Sequence, residues 1–116
     1  MTAPTGSTID RATFEALKET TGAEFVLELV DTFLQEAPAM LDELRRTLAA
    51  KDADKFRRTA HSLKSNSNTF GALTLGAMAR ELELDGLAKA SESGTLDALA
   101  QEYSRVAAAL TELRHA

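Results

Sequence analysis

Lys55-Phe56-Arg57-Arg58-Thr59-Ala60-His61-Ser62-Leu63-Lys64-Ser65-Asn66-Ser67-Asn68-Thr69-Phe70 reads as one helix with two unlike faces. At ~100° per residue, Phe56, Ala60, Leu63, Ser67 and Phe70 fall in a narrow stripe that must face a core. His61 lies on the far side with Arg57, Arg58, Lys64, Ser65 and Asn68. Arg57 and Arg58 stand one turn before it, Lys64 and Ser65 one turn after. No acidic residue occurs between Lys55 and Phe70. The spacing therefore predicts an exposed imidazole ringed by donors and cations. Gly71 is the expected stop of the helix.

The flanking sequence repeats the helical period. From Ala23 to about Ala49, apolar residues recur at Val26, Leu29, Val30, Phe33, Leu34, Ala37, Leu41, Leu44 and Leu48, predicting the longest helix. Pro38 removes a backbone donor inside that pattern and crowds the preceding turn. The stripe resumes in phase at Leu41 and Leu44, so a kink is expected there and not a break. Asp52 or Asp54 is expected to cap the helix that carries His61. A further helix is predicted from Leu73 to Ala90, with Gly86 loosening its last turns at a cost of ~1 kcal/mol relative to alanine. Thr95 is the expected N-cap of a last helix whose seam is Leu96, Leu99, Tyr103, Val106, Leu110 and Leu113. Upstream, Asp10 is expected to cap a short helix containing Phe14 and Leu17, which Gly22 ends in a left-handed conformation.

No stretch alternates with period two over the length of a strand. The fold class expected is all-α, an antiparallel up-down four-helix bundle with a short additional N-terminal helix. The 116 residues suffice for one core, with residues 1–9 expected to form a flexible N-terminal tail ahead of a single domain over 10–116.

Composition excludes several functions. There are no cysteines, so disulfides, thiolate chemistry and Cys-ligated metal are out. The net charge of −5 argues against general attraction to nucleic acid or anionic lipid. Neither a signal peptide nor an apolar run of the ~20 residues needed to span a bilayer is visible, so a cytoplasmic protein is expected. With His61 and His115 as the only histidines, no metal site is expected. A hydrolytic triad needs a third group to orient its base, and no carboxylate on the His61 face supplies one. No Gly-rich phosphate loop or Walker pattern is present, so no ATP site of its own is expected.

What remains is His61 as a nucleophile. A neutral imidazole can attack phosphorus. The phosphoramidate so formed adds negative charge, which Lys64 one turn on and Arg57 or Arg58 one turn back would partly neutralise. The small side chains of Ser62, Ser65 and Asn68 leave room for a partner to approach.

These residues carry a family resemblance. His61-x-Leu63-Lys64, the polar run to Asn68, and Phe70-Gly71-Ala72 resemble the signature of histidine-containing phosphotransfer (HPt) domains, usually written His-x-Leu-Lys-Gly with an apolar residue and Gly following. Asp10 opening a short helix, the segment from Phe33 to Leu44 with Pro38 in it, the Asp52-Ala53 turn and Leu82-Glu83 also look like that family. The resemblance implies an HPt-like domain over 10–116, with His61 as phosphoacceptor and Lys64 steadying the phosphoryl group. It implies a phosphocarrier of a multistep phosphorelay, working between receiver domains of a hybrid histidine kinase and of a response regulator. The receiver would bring Mg²⁺, and the carrier would need no cofactor, no nucleic acid, no membrane and no second copy. Partner contact would fall on Arg57, Arg58, Ser65 and Asn68.

Ser65 departs from the pattern by standing where the family's usual glycine lies, adding a hydroxymethyl group where a receiver loop would approach. Two other classes are weighed against the carrier. One is a helical docking module that binds receiver or kinase domains without carrying phosphate. The other is a histidine kinase dimerisation domain, where an acidic residue follows the histidine and a proline lies a few residues on. Here Ser62 follows His61, and no proline comes after Pro38.

Overall fold

Local chemistry starts and stops the helices close to the expected places. The computed structural model describes residues 8–115. Helix α1 spans Arg11–Thr21, α2 Ala23–Ala50, α3 Ala53–Thr69, α4 Leu73–Ala90 and α5 Thr95–His115. The Asp10 carboxylate accepts the Thr13 N–H at 3.1 Å, and the Asp52 carboxylate accepts the Lys55 N–H at 3.1 Å, each relieving a donor that the first helical turn leaves unpaired. Gly22 ends α1 with φ 99° and ψ 147°. That is an extended backbone at positive φ, not the left-handed helical turn expected.

Three expectations need correction. Helix α3 begins at Ala53, so Asp54 lies inside its first turn and the helix is not free of acids. Thr95 is already helical, because Gly94 takes the turn at φ 83° and its carbonyl accepts the Ala98 N–H at 2.8 Å. Ile9, expected in the tail, is fully buried in the core, while residues 1–7 of that tail lie outside the described residues.

Helix α2 continues through Pro38, as expected. A proline at 38 cannot donate to the carbonyl of Leu34, four residues earlier. The Tyr103 hydroxyl of α5 donates to that carbonyl instead, at 3.3 Å. Helix α4 does loosen at Gly86, where a φ of 67° and a ψ of -146° interrupt the helical backbone. Such a conformation suits glycine, which has no Cβ to clash.

The four long helices pack as a ring. Helix α2 contacts α3 and α5, α4 contacts α3 and α5, and α1 lies against α2 and α3. The predicted stripe of α3 turns inward, with Phe56, Ala60, Leu63 and Phe70 all buried. The Phe33 ring of α2 meets the Phe70 ring at 5.2 Å. It meets the Tyr103 ring at 6.0 Å. Aromatic packing thus ties α2 both to the end of α3 and to α5. The end of α3 is stitched to the start of α1, where the Asp10 N–H donates to the Gly71 carbonyl at 2.7 Å. These contacts fix the rotation of α3 about its axis and turn His61 outward. Among the described residues, no helix is long and apolar enough to cross a membrane.

Candidate functional site

His61 sits mid-way along α3 with its side chain 55% exposed. Its Nδ1 lies 2.7 Å from Oε2 of Glu83, a residue of α4 that is 22 positions further along the chain. The other oxygen of the same carboxylate, Oε1, lies 2.8 Å from Nζ of Lys64. Glu83 is only 16% exposed and Lys64 24%, so the carboxylate and its ammonium partner form a half-sheltered base beneath an exposed ring. Lys64 is thus more sheltered than its place on the outer face of α3 suggested.

The hydrogen bond from Lys64, and secondly that from His61, hold the Glu83 carboxyl below the usual carboxylate range. An ionised carboxylate only accepts, so the ring donates through Nδ1–H. In that neutral tautomer the lone pair resides on Nε2. Because the folded state lowers the pKa of Glu83, its contribution to stability is present above the ordinary glutamate range of about 4.3 and is lost as pH falls through the depressed value. The clamp therefore stays charged at neutral and mildly acidic pH.

The other residues read from the sequence divide. Arg57 and Arg58 are exposed, but both reach back to Asp54: Arg57 Nη2 lies 3.0 Å from Oδ1 and Arg58 Nε 3.2 Å from Oδ2. They stand one turn from His61 with their charge partly offset. Ser65 is exposed one turn beyond His61, and its carbonyl accepts the Thr69 hydroxyl at 2.9 Å. Asn68 is exposed and lies over α4 at Gly76, where a methyl group would overlap its amide. Glycine at 76 lets α3 and α4 approach closely there.

The sequence marks Glu83 only as part of the Leu82-Glu83 pair that looks like the family, and its contact with His61 and Lys64 emerges only in the fold. The orienting carboxylate judged absent from the histidine's face is supplied by the neighbouring helix. No local pattern around His61 announces it, because only the packing of α4 against α3 brings the two together.

The Hpt domain family model matches residues 28–116, and the chain belongs to that family, whose members are phosphocarrier modules of two-component signalling. The chain is also similar to the sensor protein TorS of Escherichia coli (strain K12), with 34% identity over 62 residues. That match covers 53% of this chain and 7% of the length of TorS. No solved structure was found to match.

Proposed function

We propose that His61 carries a phosphoryl group between receiver-domain aspartates in a multistep phosphorelay, taking it from a receiver of a hybrid histidine kinase and delivering it to the receiver of a response regulator. The observation that carries this reading is the Glu83 clamp on Nδ1, which leaves Nε2 as the nucleophilic atom of an exposed ring.

In the accepting step the Nε2 lone pair attacks phosphorus. The N–P bond forms, the P–O bond to the aspartyl carboxylate breaks, and the carboxylate leaves with its electron pair. The ring gains positive charge, which the Glu83 carboxylate offsets through Nδ1–H. The phosphoryl oxygens gain a cation in Lys64, which can turn from Glu83 toward them. Delivery to the second receiver reverses these bonds. Mg²⁺ belongs to the receiver in this scheme, and the carrier itself needs no cofactor. It works as a cytoplasmic monomer, with Ser65 tolerated at the edge of the approach path.

The test is phosphotransfer from a receiver domain phosphorylated with a labelled donor. The expected label on this chain is acid-labile and base-stable, as a phosphoramidate is. Binding of receivers without any label would turn the assignment to a docking module that carries no phosphate.

Removing one charged partner separates the roles. Lys64→Ala is expected to slow transfer by about ten- to a hundredfold, since it withdraws a cation from the developing phosphoryl charge. Glu83→Gln is expected to slow acceptance about tenfold through loss of the ring's orienting partner. Rapid-quench measurements of label per unit time check both. Circular dichroism should be unchanged, because neither side chain belongs to the apolar core.

A further inference from the structure

Two contacts set the register of α3 against α4. His61 meets Glu83, and Asn68 lies over Gly76. Seven residues forward on α3 is thus seven residues back on α4, so the two helices run antiparallel and Arg80 stands level with Lys64. That level is one turn, about 4.5 Å along the axis, from His61. At ~100° per residue, Gly76 and Glu83 lie within about 20° of each other and mark the edge of α4 that faces α3. Arg80 lies about 40° from the first and about 60° from the second, on the side away from the buried Leu75 and Leu82. It is exposed, beside the line where α3 and α4 meet.

The other cations near His61 are engaged. Lys64 is bound to the Glu83 carboxylate at 2.8 Å, and Arg57 and Arg58 are bound to Asp54. The carboxylate one turn beyond Arg80 on its own helix is Glu83, which His61 and Lys64 already share. Arg80 is left without an acidic partner among the described residues.

We propose that Arg80 is a phosphoryl-binding residue of the carrier, its guanidinium pairing with the phosphoryl oxygens once that group is on Nε2 of His61. The inference rests on the transfer reading above, in which Glu83 keeps Nδ1 and leaves Nε2 for phosphorus. Packed helices stand ~8–10 Å apart, a gap that an arginine and a phosphohistidine reaching from the two outer faces close between them. Lys64 meets the phosphoryl group at the expense of its bond to Glu83, the residue that holds the ring. Arg80 breaks no ion pair to do so. Its planar fork of N–H donors matches two oxygens of a phosphoryl group, and such charge-assisted pairs are the stronger hydrogen bonds. Like Glu83, it comes from the neighbouring helix.

A group that binds the phosphoryl on the carrier alone shifts the transfer equilibrium toward the carrier. A group that only touches the receiver cannot, because the equilibrium between the free species does not depend on the complex through which they pass. The test therefore measures forward and reverse transfer between the full chain and a receiver domain that labels it, at concentrations below saturation, and takes their ratio. Arg80→Gln is expected to lower that ratio about fivefold in favour of the receiver, the upper end of what an exposed ion pair contributes. Arg80→Lys keeps the charge and should stay within twofold of the parent. The position is exposed, so melting temperatures should hold. Forward and reverse rates slowed alike, with the ratio unchanged, would make Arg80 a receiver contact, overturning the inference while leaving His61 as carrier. Unchanged rates in both directions overturn it as well. So does an equal fall of the ratio in Arg80→Lys, which would mean that the charge is not responsible. A parent chain that no receiver labels removes the transfer reading and this inference together.

Discussion

Replacing His61 by glutamine is expected to abolish phosphoryl transfer, reducing label on the chain to background, while affinity for the receiver changes less than threefold. Glutamine keeps a polar side chain of similar reach on an exposed helix position, so the bundle has no reason to respond. Its amide nitrogen has no available lone pair with which to attack phosphorus, and nothing else on the outer face of α3 replaces the imidazole. The loss should therefore amount to many orders of magnitude, not a graded slowing. Titration calorimetry of His61→Gln against an unphosphorylated receiver, beside the labelling assay, checks both halves. Lost binding with an unfolded chain would mean that the residue is structural, contrary to its 55% exposed side chain.

Gly71→Ala is the substitution expected to cost most stability, about 3 kcal/mol from the two effects that follow. Gly71 has a φ of 86°. That backbone state costs an ordinary residue roughly 1–2 kcal/mol. A methyl group there would also stand 2.7 Å from the backbone oxygen of Asp10. Backbone cannot swing aside as a side chain can, and overpacking adds roughly 1–3 kcal/mol. The expected fall in melting temperature is about 10–15 °C, measurable by calorimetry. Gly76→Ala is the comparison. Its obstacle is the side chain of the exposed Asn68, which has room to turn away. A cost of less than about 1 kcal/mol is therefore expected. If both variants melt alike, the junction between α1 and α3 is softer than its geometry implies.

The outer face of α3 was legible because a helix spanning several turns writes its orientation into the spacing of its apolar residues. Phe56, Ala60, Leu63 and Phe70 had to turn inward together, which left one direction for His61. Gly71 and Gly86 were legible for a similar reason, since glycine marks places where the backbone leaves the helix. The partner of His61 was not, because Glu83 is 22 residues distant and its role depends on the rotation of a second helix. A glutamate one turn from Arg80 looks like half of a surface ion pair. Only the close approach of α3 and α4 diverts it to His61 and Lys64. The error at Asp54 was one of boundary: starting α3 two residues earlier adds a carboxylate that claims both Arg57 and Arg58. Ile9 was assigned to the tail on the composition of its neighbours, yet it is fully buried.

The hydroxyl of Tyr103 and the ring of Pro38 lie on different helices, but they answer to the same carbonyl. Tyr103→Phe alone should cost about 1 kcal/mol, the usual net value of such a bond. In a chain where Pro38 is first replaced by alanine, the Leu34 carbonyl has its own helical donor and most of that loss should vanish. A double-mutant cycle would read the difference directly. Among related sequences the two positions should then change in concert, proline with tyrosine and neither as a free choice. Drift at position 38 would become a record of what position 103 permits.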